Sequence, residues 1–268
     1  MRSLPLIISF LAAAALAPAA LHRLSAAPFG RRNYRGRRVA FPLGVVILAA
    51  SATSLAVCAC VSLLPAGTAT VAVFVLGVGL LGLADDALAG SARGIRGHLR
   101  ALLARRFDTA MLKACGTLGL ALIVLHASGL RGERLALAGG VLVLAPHAFN
   151  LVDLRPGRAI KLFSLLAAIL LLATRASREL WLLGPFVGPL AAIAYFDVRE
   201  RGMLGDSGAS LIGALAGLWL VSALPSAALA GALATLAAVA IYGEVSSISA
   251  LITRAPLLRR LDSMGRPS

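Results

Sequence analysis

Long apolar runs alternate along the chain with short polar segments that hold most of its charge. Nine runs stand out, over residues 4–21, 42–64, 69–84, 110–129, 135–152, 162–174, 180–196, 208–224 and 227–243. In helical form, about 18 residues cover about 27 Å, close to the hydrocarbon thickness of a bilayer. The pattern predicts an all-α fold, a polytopic transmembrane helix bundle of about nine spans. The sixth run is short and the seventh contains Pro185 and Pro189, so eight or ten spans also fit. No repeat or linker divides the chain. A single domain over 1–268 is expected, with the bundle at 1–243 and a tail at 244–268.

Composition agrees: 59% of residues are hydrophobic, 14% are charged, and the mean hydropathy is +0.90. Soluble domains carry about 45–50% apolar and about 25% charged residues. A soluble enzyme is therefore excluded, and the apolar fraction excludes disorder. Lys and Arg number 26 against 11 acids, a formal charge of +15. Of these, 21 fall in or beside alternate segments: 22–41, 85–109, 153–161, 197–207 and the tail. The positive-inside rule then puts the N-terminus outside and the C-terminal tail in the cytoplasm, across a cytoplasmic (inner) membrane. Short basic loops with few aromatics suit no nucleic-acid partner. The first run looks like a secretory signal, but cleavage would export the basic cluster at 31–38, so a retained helix is expected. Cys58, Cys60 and Cys115 lie in apolar runs and form no disulfide or zinc framework.

Six of the eleven carboxylates, Asp85, Asp86, Asp153, Asp197, Glu200 and Asp206, gather where runs meet the inward segments. Acids at a membrane edge are functional candidates; solvated loop ends are the plain alternative. Asp85 and Asp86 end a helical run, opposed to the helix dipole and to each other, which a divalent cation or a lysine would relieve. Asn150 and Asp153, three apart, share a helix face. Arg155, Arg158 and Lys161 follow around a Pro-Gly turn, and guanidinium forks match phosphate oxygens. Positive-inside anchoring accounts for these cations but not for Asn150 with Asp153. Gly205-Asp206-Ser207-Gly208 opens another helix, where Asp206 is an N-cap or part of a phosphate or metal-phosphate site. Residues 95–107 and 251–261 have amphipathic spacing suited to the membrane interface, and His98 lies in the first of these. Acids, cations and helix ends on one face suit phosphoryl transfer with Mg²⁺, a lipid substrate entering sideways.

At these clusters the sequence resembles the polyprenyl-phosphate sugar-1-phosphate transferases (glycosyltransferase family 4), which include the peptidoglycan translocase and N-acetylglucosamine-1-phosphate transferases. The likeness runs in order through Asn33-Tyr-Arg-Gly36, Gly82-Leu-Ala-Asp85-Asp86, Gly97-His98, Lys113, Asn150-Leu-Val-Asp153 and Gly205-Asp-Ser-Gly208. It implies Mg²⁺-dependent transfer of a sugar-1-phosphate from a UDP-sugar to a polyprenyl phosphate, with release of UMP, for cell-envelope glycan synthesis. It assigns catalytic roles to Asp85, Asp86, Asn150, Asp153 and Asp206, with Asp206 and Asp86 on the metal. Substrate binding falls to Asn33, Arg35, His98, Lys113, Arg155, Arg158, Lys161, Gly205 and Ser207. The membrane and its lipid phosphate, the nucleotide sugar and a homodimer are the partners compatible with it.

Departures qualify the substrate. Pro156 stands where the translocase pattern has a second acid, Met203 where it has an aromatic residue, and its His-rich loop and final helix have no counterpart. The alternative is a catalytically degenerate scaffold or lipid-binding protein of the same fold. A transporter would want charges near mid-membrane, and a phosphatidyl transferase would need spaced aspartates around an Asp-Gly-x-x-Ala-Arg motif, which is absent.

Overall fold

The computed structural model describes residues 3–26, 28–88, 109–174 and 177–267. Its helices are α1 (Leu4–Ser25), α2 (Gly44–Cys60), α3 (Thr68–Leu88), α4 (Thr109–Ser128), α5 (Gly132–Val152) and α6 (Arg158–Thr174). They continue as α7 (Ser177–Leu182), α8 (Gly184–Val198), α9 (Gly205–Ala223), α10 (Ser226–Val245), α11 (Ile248–Arg254) and α12 (Pro256–Ser263). Between α1 and α2, β1 (Arg31–Arg32) and β2 (Arg38–Val39) form a small antiparallel hairpin. Among the described residues the fold is all-α apart from this hairpin.

Every one of the nine apolar runs holds a helix, and 6 of these helices (α1, α3, α4, α5, α9 and α10) are long and apolar enough to cross a membrane. Shorter apolar helices, α2 and α8, lie among them. The seventh run is not continuous. It breaks between α7 and α8 at Leu183, and Pro185 starts the new helix, where its missing N–H costs nothing. In the segment after 243, α10 runs on to Val245, and two short helices follow that pack against the bundle.

The core is built around α9, which is buried on nearly every side and touches α2, α3, α5 and α6. By contrast α10 buries only Leu229. Small residues let the neighbours approach α9 backbone to backbone, the usual device where lipid supplies no hydrophobic force between helices. A side chain at Gly213 would strike the backbone of α5 at Ala145 and Pro146. One at Gly82 of α3 would strike the backbone of Asp206 and Ser207, and one at Gly44 of α2 would strike Ser207 and Gly208. These contacts bring the ends of α2, α3 and α5 to the start of α9.

Candidate active site

The loop before α9 is pinned to the hairpin strand: Met203 N–H donates to Ala40 O at 2.9 Å, and Leu43 N–H to Met203 O at 2.8 Å. The chain then enters α9 through Gly205 at φ +73°, a conformation open to glycine without a Cβ penalty. A Cβ there would collide with Pro42 and the Asp86 carboxylate. That carboxylate accepts from Asp206 N–H at 2.8 Å through Oδ1 and from Ser207 N–H at 2.9 Å through Oδ2. Asp86 thus caps α9 from a different helix, satisfying two of its orphan N–H groups and opposing its positive dipole end.

Both Asp86 oxygens thus accept from the backbone of α9 in a buried setting; one expectation is corrected. Asp206 is not the N-cap of its helix; Leu204 stands at that position and Asp206 lies in the first turn.

The Asp206 side chain turns toward α4 and α5 instead. Its Oδ2 accepts from Lys113 Nζ at 2.6 Å and Asn150 Nδ2 at 3.3 Å. The same ammonium lies 3.5 Å from Asp85 Oδ2. Ser210, one turn into α9, donates to Asn150 Oδ1 at 3.3 Å, which leaves the amide NH₂ facing Asp206. A lysine is therefore the relief that the paired aspartates required. Asp85, Lys113, Asn150 and Asp206, from four helices, form one polar cluster.

Two cavities meet there. A polar one of about 190 Å³ is lined by Asn33, Tyr34, Asp153, Arg155 and Asp197, with Asn150, Gly205 and Asp206 at one side. A longer groove of about 1060 Å³ runs between α4, α5 and the end of α10, with Asp85, Lys113, Asn150 and Asp206 on its wall and apolar side chains such as Met111, Val143 and Leu151 along it. Asn150 and Asp206 belong to both.

In the polar cavity, Asp153 Oδ1 accepts from Ala159 N–H at 3.2 Å and so starts α6. Burial, together with the Asp197 carboxylate beside it, pushes the Asp153 carboxyl well above its ordinary value. Asp197 accepts from Gly157 N–H at 2.7 Å. It is a cavity residue that the motifs miss; only its place at a span end marks it in the sequence. Asn33 Oδ1 accepts from Arg35 N–H (2.9 Å) and Arg37 N–H (3.0 Å), building the hairpin turn, while its Nδ2 is buried without a partner among the described residues. Arg155 lies over the Tyr34 ring, 5.4 Å from its centroid.

Other expected substrate contacts are engaged elsewhere. Arg35 pairs with Glu200 at 3.2 Å. Arg158 is buried and forks onto Asp262, and Lys161 Nζ donates to Leu261 O and Asp262 O. Ser207 is fully buried under α2 and α3 and reaches neither cavity. The structure does not bring these four side chains to either cavity: three are held by protein partners and Ser207 is enclosed. His98 and the whole amphipathic segment 95–107 around it lie outside the described residues.

Among the described residues no group of three or more His, Cys, Asp or Glu is placed to hold a metal ion. Two hard carboxylates facing one cation position, Asp85 and Asp206, are nevertheless what Mg²⁺ usually takes from a protein, since it completes its shell with waters and substrate phosphates. No family model matches the chain, and no curated protein matches it.

Proposed function

We propose that the chain is an integral membrane transferase. It moves a sugar-1-phosphate from a UDP-sugar to a polyprenyl phosphate and releases UMP, for cell-envelope glycan synthesis. In this reading the nine apolar helices all cross the membrane, the N-terminus is outside, and the site end of the bundle faces the cytoplasm. One observation carries it: the polar cavity and the apolar groove meet at Asn150 and Asp206. A water-soluble donor and a lipid acceptor need separate approaches to a common point, and these two approaches differ in the matching way.

The acceptor's phosphate oxygen attacks the donor phosphorus that carries the sugar. A P–O bond forms there as the bond to the UMP oxygen breaks, and UMP leaves with that electron pair. A lipid phosphate is already ionised near neutral pH, so the attack needs little base catalysis. Lys113 sits where it neutralises phosphate charge, the main task of a protein in such a transfer. Asn150, oriented by Ser210, offers a donor to the same oxygens. Arg155 and Tyr34 present a cationic and aromatic wall to the nucleotide end of the donor. Asp85 and Asp206 would hold Mg²⁺, which supplies charge neutralisation when bound.

The purified protein, given undecaprenyl phosphate and a panel of UDP-sugars, should release UMP, and chelator should stop it. Asp206→Asn should abolish release with little change in detergent melting, whereas Glu133→Gln, exposed at the other end of α5, should stay active. No release with any sugar would favour the scaffold reading. Full activity in Asp206→Asn would remove the metal role.

A further inference from the structure

Two walls of the polar cavity are tied to one short stretch, residues 262–267. Asp262, 8% exposed, receives a fork from Arg158 (Nε–Oδ1 2.8 Å, Nη2–Oδ2 3.1 Å). It receives a second from Arg266 (Nη2–Oδ1 2.5 Å, Nη1–Oδ2 3.1 Å). Two bidentate pairs fill the lone-pair sites of one carboxylate and fix its geometry. Arg158 also donates to Ser249 of α11 at 2.7 Å, and Lys161 donates to the carbonyls of Leu261 and Asp262 at the end of α12.

From this knot one arm reaches each wall. Arg266 Nε donates to Pro156 O at 2.9 Å, inside the turn that presents Asp153 and Arg155 to the cavity. Pro267 O accepts from Arg35 Nη2 at 2.8 Å, and Arg35 Nε donates to the Tyr34 hydroxyl at 2.9 Å. Tyr34 lines the opposite wall, and its ring carries Arg155 across the gap. Buried ion pairs are weak evidence for stability, and in some proteins they specify geometry instead. Here the pairs link the two walls.

We propose that Asp262 is a positioning residue: through Arg266 and Pro267 it holds the 153–157 turn and the 33–36 hairpin at the separation that forms the cavity. It sets the affinity of the cavity for its ligand without touching that ligand. The identity of the ligand, the nucleotide end of a UDP-sugar, rests on the proposed function; the coupling of the walls does not.

The test uses Arg266→Gln, which cuts the tie to Pro156 and one fork but keeps the buried Arg158–Asp262 pair. Asp262→Asn alone would strand two arginines and threaten the fold. Hydrogen exchange of the full-length protein in detergent is followed in peptides over 30–40 and 153–161, and UDP affinity is measured by calorimetry. Both peptides should exchange faster, and UDP should bind more weakly on the order of tenfold, the equivalent of one charge-assisted hydrogen bond. Arg266→Lys should recover part of both effects, and Arg259→Gln, on the exposed side of α12, should change neither. Unchanged exchange in either peptide overturns the coupling whatever the ligand is. Faster exchange with unaltered UDP affinity overturns the positioning role. If the parent binds no UDP but exchange rises in both peptides, the coupling stands and the donor assignment falls.

Discussion

Asp153 and Asp262 are both enclosed carboxyls near the same turn, yet their surroundings drive them in opposite directions. Burial alone would raise Asp262, but hydrogen bonds from Arg158 and Arg266 outweigh it and hold the carboxyl at about 2. Its contribution to stability is present above the ordinary carboxylate range and is lost only as pH falls through about 2. The knot at 262–267 should therefore persist at pH 4. Asp153 has no arginine fork and faces Asp197, so its folded-state pKa is raised. A raised carboxyl holds its proton more tightly when folded, so its ionisation lowers stability as pH rises. Asp153→Asn keeps an oxygen for Ala159 N–H and removes that charge. It should melt higher than the parent at pH 8, with the difference closing only as pH falls to the ordinary carboxylate range, about 4, and it should lose transferase activity. Equal melting at pH 8 would mean that Asp153 is solvated rather than confined.

Between helices, the decisive contacts are glycines meeting backbone. Gly82→Ala puts a methyl group into the Asp206–Ser207 backbone, which has no flexible end to yield. Overpacking of this kind costs about 1–3 kcal/mol, and here it would also push Asp85 and Asp86 away from α9. Gly119→Ala in α4 meets nothing and should gain about 0.5–1 kcal/mol from reduced chain freedom. Melting in detergent separates the two, and a neutral Gly82→Ala would refute the close crossing. The apolar helices were legible from the sequence because run length alone marks a helix that lipid can surround. The motif aspartates were legible as a group because span ends concentrate them. Partnership was not legible. Arg158 and Lys161 look like phosphate ligands when read alone, since nothing local reveals that Asp262 lies about a hundred residues away in the chain and beside them in space. Asp86 and Asp206 look equivalent until Gly205 turns the backbone N–H groups toward one and the side chain of the other toward Lys113. The hairpin has strands of only two residues, too short for any alternation to show.

At the scale of the molecule, the question is how many times the chain crosses. Among the described residues six helices reach spanning length, and contacts between loops constrain the others. Arg31 donates to Asp86 O at 3.0 Å, so the start of the α2–α3 hairpin and its end lie on one side. If α3 crosses, α2 must run alongside it, and its 17 residues cover about 25 Å. The bridge from Ala40 to Gly202 likewise brings the end of α8 to the site, from which α6 departs at Arg158. The far end is marked by Arg134, which donates to the last carbonyls of α9 at Val221 and Leu224, where a cation suits the dipole. These contacts are compatible with the proposed nine passes, in which the site end faces the cytoplasm. The cytoplasmic assignment then makes a direct prediction. In intact cells, with the three native cysteines replaced, cysteines at Arg37, Arg199 and Arg260 should resist an impermeant maleimide until the membrane is opened. One at Glu133 should react at once. All four positions are exposed, so a silent site reports sidedness rather than burial. Labelling of Arg37 or Arg199 from outside would place the polar cavity away from the compartment where nucleotide sugars are made, and the transferase proposal would not survive it.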